Sequence, residues 1–150
     1  MFGEKMRYRS GICAIIFLRK EQKFLIFHRI KNWSGWEFLK GGIRAGETEE
    51  ECLKRELEEE TGSKKYKIIV RMPYEIKYSW TKEYVKDHHK WIGTSNRLYL
   101  IEFFDRRIKI DKEEHDGFRW VKNPEKYLTY DNLKVAFKYF VKQFPDIFSA

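Results

Sequence analysis

The amino-acid sequence predicts a single α+β domain over residues 1–150, an α/β/α sandwich in which a mixed β-sheet lies between helices. Segments rich in β-branched and aromatic residues recur along the chain, and two segments carry apolar residues at helical spacing. No linker or low-complexity tract divides the sequence. A length of 150 residues with 42% hydrophobic residues is sufficient for one packed core.

The first part of the chain predicts a β-hairpin followed by a short strand. Two apolar, β-branched segments flank a polar turn, which is typical of a hairpin. After an aromatic and polar loop, the short strand leads the chain into Gly41 and Gly42. The predicted order is a loose start at 1–6, strand 7–18, turn 19–22, strand 23–30, loop 31–36 and strand 37–40.

A helix is predicted to begin at Thr48. Thr48 is followed three residues later by Glu51, which is the signature of a capping box. Gly62 suits the position just after the helix, where the backbone is usually left-handed. Leu53 and Leu57 are four residues apart and face the core.

The second half of the chain predicts further strands and a final helix. Pro73 indicates a bulge or a sheet edge, because proline cannot donate a ladder hydrogen bond. Leu133, Ala136, Phe137 and Phe140 follow the helical spacing of apolar residues. The predicted order is strand 66–80, a loop or hairpin excursion at 81–92 that includes His88 and His89, strand 97–104, a charged connection at 105–114, strand 117–121 and a helix at 131–144 that stops at Pro145.

Charge and cysteine usage limit the compartment and the partners. The net charge of +8 favours polyanions, among which composition alone does not separate nucleotides, RNA and DNA. Cys13 and Cys52 form no CxxC pair, and no secretory signal is evident, so a cytoplasmic location is expected. The longest apolar run, Ile12 to Leu18, is far shorter than a membrane span, so no membrane partner is expected.

The segment from Gly41 to Ser63 is the most unusual part of the sequence. Its 23 residues include eight acidic residues and four glycines. Glu56, Glu59 and Glu60 lie on one helical face, where like charges repel unless a cation is bound. Carboxylate oxygens suit Mg²⁺ (or Mn²⁺), so the sequence predicts metal-dependent phosphate chemistry.

The spacing in this segment resembles the signature of the Nudix hydrolases. Gly41 is followed after five residues by Glu47, and after seven more by Arg55-Glu56-Leu57-x-Glu59-Glu60-x-Gly62. The final position, usually aliphatic in the family, is Ser63. A solvated, salt-bridged helix would explain neither the glycines nor the spacing of Glu47 and Arg55. The resemblance implies the α/β/α sandwich and hydrolysis of a nucleoside diphosphate linked to another group.

The resemblance also implies roles for individual residues. Arg55 is expected to pair with Glu47 and to orient the acidic side chains. Glu59 is the first candidate for the general base, although several subfamilies use a loop outside the motif, where Glu113 and Glu114 are the alternatives to a merely solvated turn. The implied metal ligands are Glu56, Glu59, Glu60 and the carbonyl of Gly41.

Residues outside the motif are candidates for substrate contacts. Basic side chains suit phosphates, and aromatic faces stack on bases for about 1–3 kcal/mol per base. For each aromatic the alternative is packing, and for Arg29 it is a solvated strand end. The candidates are Lys40, Arg29, Trp33, Tyr78 and Trp80, with Tyr84, Trp91 and His115 as further ones.

Two flanking segments indicate a branch of the family. WEFLKGGIRAGET, with Leu39 in place of a proline, and EHDGFRWV resemble segments of the diadenosine tetraphosphate hydrolases and the related RNA 5′-pyrophosphohydrolases. Tyr78, 15 residues past Ser63, matches a tyrosine of the dinucleoside polyphosphate branch. Asymmetric hydrolysis of dinucleoside tetraphosphates to NTP and NMP is therefore expected.

Other functions and partners remain as alternatives. The enzyme alternatives are an RNA 5′-triphosphate pyrophosphohydrolase and a (d)NTP or nucleotide-sugar pyrophosphatase. A different class is an inactive Nudix module that binds RNA or nucleotide. The expected partner is a small-molecule nucleotide, with an RNA 5′ end as the alternative. DNA is not expected, and either a monomer or a homodimer is compatible with the sequence.

Overall fold

A computed structural model describes residues 7–87 and 90–148, so the predicted loose start and the predicted loop position of His88 and His89 lie outside it. Its described part holds one sheet with helices on both faces. The strands are β1 (Tyr8–Leu18), β2 (Lys23–Arg29), β3 (Gly35–Glu37), β4 (Leu39–Gly42), β5 (Tyr66–Ser79), β6 (Gly93–Phe103) and β7 (His115–Val121). The helices are α1 (Glu49–Thr61), α2 (Lys82–Asp87), α3 (Asp131–Gln143) and α4 (Pro145–Phe148), with a 3₁₀ turn at Pro124–Lys126.

Strand β1 is the centre of the sheet. It runs parallel to β6, from the pair of Tyr8 and Gly93 to the pair of Phe17 and Glu102. It runs antiparallel to β2 and β4 on its other edge. The main order is β3-β2-β1-β6-β5, with β4 on β1 and β7 on β2, so the predicted mixed sheet is confirmed.

The alternation of side chains along β1 builds two cores. Ile15 and Phe17 belong to the core that packs on Phe137 and Phe140 of α3. The residues of β1 that alternate with these two, such as Ile16, point to the other face and belong to the core that packs on α1. One apolar strand therefore serves both faces, and the predicted sandwich is confirmed.

Both predicted ends of α1 are confirmed. The Thr48 side chain accepts a hydrogen bond from the Glu51 amide at 3.1 Å, and the Glu51 carboxylate accepts one from the Thr48 amide at 3.0 Å. At the other end Gly62 has φ +71° and donates to the Glu58 carbonyl at 2.8 Å. These caps hold the acidic helix in place.

The predicted strand at 37–40 is two short strands. The chain bends at Phe38, whose side chain is fully buried, and changes partner from β2 to β1. The change of partner is possible because β1 and β2 pair only beside their turn and then diverge. β3 and β4 fill the gap between them and place Gly41 beside Ile12 of β1.

Residues 81–92 were predicted as a loop or a hairpin excursion, and this is wrong for α2. The Thr81 hydroxyl accepts from the Tyr84 amide at 3.2 Å, and the Thr81 carbonyl accepts from Val85 at 3.0 Å. Threonine thus caps a single helical turn within a polar segment. The strand before it, β5, is an edge strand with a register shift between Arg71 and Glu75, as Pro73 indicated.

The predicted end of the last long helix at Pro145 is confirmed, because α3 ends at Gln143 with Phe144 as its cap. Pro145 then begins the short helix α4, which was not predicted. Proline suits a first helical position because its missing N–H has no helical partner there. Within the described residues, no helix is long and apolar enough to cross a membrane.

Candidate active site

Arg55 ties the motif helix to the loop before it. Its guanidinium donates to the Glu47 carboxylate at 2.7 and 3.0 Å, to the Gly42 carbonyl at 3.1 Å and to the Glu56 carboxylate at 2.7 Å. The hydrogen bond from Arg55 lowers the pKa of Glu47 to about 2. Arg55 is therefore an orienting group, with all of these bonds made to the motif itself.

Glu56 lies against the backbone of β4. The residue is only 8% exposed, and burial raises the pKa of Glu56 despite the neighbouring Arg55. A Cβ atom at Gly41 would collide with the Glu56 carboxyl group. Glycine at position 41 is thus required for the close approach of strand and carboxylate.

Glu60 lies deeper than Glu56. One of its oxygens is 2.9 Å from Nδ1 of the buried His115. Burial, with a contribution from Glu114, raises the pKa of Glu60 to about 7. Glu60, Glu114 and His115 each have a ligand atom within 4.8 Å of the others.

The site fits a hard divalent cation. Both ring nitrogens of His115 already lie within 3.0 Å of carboxylates, which leaves oxygens as the available donors. Burial raises the pKa values of Glu56 and Glu60, because desolvation disfavours their charged forms, which a bound cation would favour. Carboxylate oxygens that line an open cleft are the ligands that Mg²⁺ and Mn²⁺ prefer.

Glu59 differs from its two neighbours. Its side chain is 44% exposed, 3.3 Å from Arg55 and 3.9 Å from Arg44. It lines neither of the two cavities described below. Of the three motif glutamates, Glu56 and Glu60 are therefore buried and Glu59 faces solvent.

A second charged cluster surrounds Glu37, which the sequence analysis missed as a site residue. Glu37 is fully buried, with Arg29 and Lys40 nitrogens each 3.2 Å from its carboxylate. Burial alone would raise the pKa of Glu37, but Lys40, His115 and Arg29 lower it to about 2. The signal in the sequence was an acidic residue inside an apolar strand, three residues before Lys40.

Lys40 is held from two sides. Its ammonium donates to the Tyr78 hydroxyl at 2.6 Å and lies 5.2 Å from the centre of the Trp33 ring. Burial would lower the pKa of Lys40, but Glu37 and Tyr78 raise it, so the ammonium stays charged. The predicted phosphate contact is a buried cation at the wall of the cleft.

Two adjoining cavities form the cleft. The smaller, about 130 Å³, is lined by charged and motif residues that include Arg29, Gly41, Glu56 and Glu114. The larger, about 440 Å³, is lined by five aromatic residues, among them Tyr130, and by the first turn of α3, and is called the aromatic cavity. The residues that line both are Trp33, Lys40, Tyr78, Trp80 and Tyr84.

The aromatic walls brace one another. Tyr84 meets Trp80 edge to face at 4.9 Å and Trp33 at 5.8 Å between ring centres. Arg29 lies 4.5 Å from the Trp33 ring, and Asn32 donates to the Tyr84 hydroxyl at 3.3 Å. The loop before β3 and helix α2 thus meet across the mouth of the cleft. Sequence reasoning missed Asn32 and Tyr130, which come from segments remote from the motif.

Three candidates do not line the cleft among the described residues. Glu113 is exposed, and its backbone amide donates to the Asp111 carboxylate at 3.0 Å. Glu113 therefore fits the alternative interpretation, a residue of a solvated turn. Trp91 lines neither cavity and has Lys90 at 5.0 Å from its ring centre. His115 is buried behind the carboxylates and makes no wall of the cleft.

Known proteins resemble this chain in sequence and in fold. The family model described as NUDIX domain matches residues 7–142. The chain is 31% identical over 134 residues to an RNA pyrophosphohydrolase of a Nitratiruptor species, covering 87% of the chain and 83% of that relative. It is 33% identical over 135 residues to an RNA pyrophosphohydrolase of Erythrobacter litoralis, covering 81% and 80%.

A solved structure extends the likeness of fold. An Ap4A hydrolase of C. elegans, in a binary complex, superposes with a TM-score of 0.70, covering 91% of this chain and 98% of that chain. The two sequences are 18% identical, so this likeness concerns the fold alone.

Proposed function

Because this chain belongs to the NUDIX domain family of phosphoanhydride hydrolases, we propose that its substrate is the 5′-triphosphate end of RNA. In the proposed reaction water is added and the bond between the α and β phosphates is broken. The products are pyrophosphate and an RNA with a 5′-monophosphate. The expected hydrolysis of dinucleoside tetraphosphates is not confirmed, and relatives at 31% and 33% identity support the RNA alternative.

The observation that carries this proposal is the joining of two unlike cavities at a shared wall. The charged cavity of about 130 Å³ suits phosphate groups, and the aromatic cavity of about 440 Å³ suits a nucleobase. Trp33 and Lys40 line both, so a phosphate and its base could be bound together. The net charge of +8 favours a polyanion such as RNA.

Glu56 and Glu60, with the carbonyl of Gly41, are the groups we assign to the divalent cation, either Mg²⁺ or Mn²⁺. Glu59, at the exposed end of the same face, is the further predicted ligand. A bound cation would neutralise charge on the phosphate oxygens. Arg55 holds Glu56 in place and does not face the substrate.

We assign the general base to Glu114. It lines the charged cavity together with Glu56, whereas Glu59 lines neither cavity. A carboxylate at that position would take the proton of the attacking water as the new P–O bond forms. Glu59, the first candidate by motif, is left as a ligand at the rim.

Lys40 and Arg29 are the proposed phosphate contacts. Both line the charged cavity, and both carry their charge next to buried Glu37. Preorganised cations stabilise the negative charge that develops on a transferred phosphoryl group. Trp33, Tyr78 and Trp80 are the proposed stacking surfaces for the base.

The proposal is tested with a panel of substrates. Purified protein with Mg²⁺ or Mn²⁺ is incubated with a 5′-triphosphorylated oligoribonucleotide, with the free NTP and with diadenosine tetraphosphate. We expect the highest kcat/KM for the RNA, with release of pyrophosphate. Mass spectrometry of products formed in ¹⁸O water identifies the attacked phosphorus. Faster turnover of either small substrate would exclude an RNA 5′ end as the preferred substrate.

Dinucleoside tetraphosphates are the second candidate. The observation in their favour is Tyr78, which lines both cavities and holds the Lys40 ammonium at 2.6 Å. With this substrate the products would be NTP and NMP, without free pyrophosphate. The same panel therefore separates the two candidates by product. An RNA substrate is in keeping with the cytoplasmic location that the sequence predicts.

A further inference from the structure

Three buried side chains form a continuous hydrogen-bonded line behind the cleft. His115 Nδ1 lies 2.9 Å from Glu60, and His115 Nε2 lies 3.0 Å from Glu37. The residues belong to α1, β7 and β3 and are 55 and 78 positions apart in sequence. These hydrogen bonds connect Glu60 of the motif helix to Glu37 of β3, which lies outside the motif.

The geometry restrains the His115 ring at both nitrogens. Carboxylates are acceptors only, so two ionised carboxylates are satisfied when both ring nitrogens carry hydrogen. The ring packs at 5.0 Å from the Phe27 ring, and its residue is 2% exposed. Its orientation is therefore set by two bonds and by packing, and it restrains one oxygen of Glu60.

Glu37 connects this line to the substrate side of the cleft. Besides His115, its carboxylate contacts Arg29 and Lys40, each at 3.2 Å. Arg29 and Lys40 line the charged cavity, whereas Glu37 itself does not. The Glu37 carboxylate thus contacts Arg29 and Lys40, and it also contacts His115, the hydrogen-bond partner of Glu60.

We propose that His115 and Glu37 are positioning residues: His115 orients the Glu60 carboxylate for a divalent cation, and Glu37 orients His115 while it holds Lys40 for the substrate. This inference rests on the proposed function, because it takes Glu60 as a metal ligand. Groups that orient metal ligands typically contribute about 10–100-fold in metal affinity. Neither residue touches the metal or the substrate in this scheme.

The alternative is a network that only stabilises the fold. Buried ion pairs are often neutral for stability overall, although loss of one partner is costly. A purely stabilising network would change the melting temperature without a selective effect on metal affinity. The test therefore measures binding of Mn²⁺ alone, at a temperature where circular dichroism shows each variant to be folded.

Two substitutions at His115 form a matched pair. The amide nitrogen of His115→Asn can replace Nδ1 and keep the bond to Glu60, whereas that of His115→Gln can replace Nε2 and keep the bond to Glu37. Mn²⁺ dissociation constants are measured by electron paramagnetic resonance. We expect His115→Gln to weaken binding about 10–100-fold and His115→Asn to weaken it less.

Glu37→Gln tests the other half of the proposal without changing His115. It should weaken Mn²⁺ binding and also raise the KM for the triphosphorylated RNA, since Lys40 loses its carboxylate. His115→Gln should leave that KM within about twofold of the wild-type value. Glu102→Gln, an acid paired with Arg19 on the far strand β6 at 3.0 Å, is the control for the substitution itself.

Several outcomes would overturn the inference. Equal Mn²⁺ affinities in wild type, His115→Gln and Glu37→Gln would assign the network to stability alone. Unchanged affinity in Glu60→Gln would remove both this inference and the proposed metal site. If Mn²⁺ affinity falls as expected but the RNA is not hydrolysed, the positioning role stands and the proposed substrate fails. Should the His115 variants not fold, Glu37→Gln carries the test.

Discussion

The two sides of the cleft are built in different ways. Most of the acidic side comes from one uninterrupted segment, in which the loop at 41–47 and helix α1 are joined through Arg55, and Glu114 is added from outside it. The aromatic side is assembled from five separate places: the loop before β3, strand β4, the end of β5, helix α2 and the start of α3. Local spacing determines the first side, whereas only the tertiary fold creates the second.

This difference separates two questions about function. In the proposed function the acidic side supplies the metal ligands and the general base, and so the bond that is broken. The aromatic side would contact the part of the substrate beyond the phosphates, and so select the molecule. Substitutions on the acidic side should lower kcat, and substitutions on the aromatic side should mainly raise KM.

The largest effect is expected on the acidic side, from Glu56→Gln. The amide removes the charge that would bind the cation and leaves Arg55 without one carboxylate partner. Since metal catalysis contributes several kcal/mol, we expect kcat to fall by at least about 10³-fold. Steady-state kinetics with the best substrate measure this. Glu58→Gln on the same helix, exposed and paired with Lys64 at 3.3 Å, should keep near-normal activity and serves as the control.

Glu114→Gln tests a residue of the acidic side that lies outside the motif. Loss of a general base typically lowers kcat by about 10²-fold or more. A smaller effect is expected for Glu59→Gln, since the Glu59 side chain is 44% exposed. Single-turnover rates at saturating metal compare the two variants. A larger loss in Glu59→Gln would return the role of base to the motif.

The helix of the acidic side could be predicted from the sequence for a physical reason. A helix repeats every 3.6 residues, so the spacing of Glu56 and Glu60 already places them on one face. The cap at Thr48 and the glycine at position 62 report backbone geometry that depends on neighbouring residues only. The confirmed sandwich likewise follows from the continuous apolar run of β1, whose alternate side chains pack on the two faces of the sheet.

The rest depended on contacts that no local pattern encodes. Glu37 is recognisable as a site residue only from its contacts with Arg29, Lys40 and His115. These three residues belong to three other elements. Helix α2 was missed because its single turn has no apolar periodicity. The cavity that it helps to enclose was therefore not predictable as a cavity, although its aromatic residues were named as candidates.

On the aromatic side, Trp33→Ala should raise the KM for the RNA with little change in kcat. Base stacking of about 1–3 kcal/mol corresponds to roughly a 5- to 150-fold rise. Initial rates over a range of RNA concentrations separate the two constants. Trp91→Ala removes an indole that lines neither cavity and should leave KM unchanged. A fall in kcat without a rise in KM would break the division between the two sides.

The smallest effect on activity is expected at Gly62, at the far end of α1. Its φ of +71° is strained for alanine, and an added Cβ would lie 3.2 Å from the Lys109 Cβ atom. The left-handed backbone costs about 1–2 kcal/mol for alanine, so Gly62→Ala should lower the melting temperature by roughly 2–8 °C. Gly117→Ala, with open space and no positive φ, should not destabilise the protein. Below its melting temperature Gly62→Ala should retain wild-type kcat and KM, because the capping box and Arg55 hold the acidic face from the other end of the helix. A loss of activity in the folded variant would show that the C-terminal end of the helix also positions Glu60.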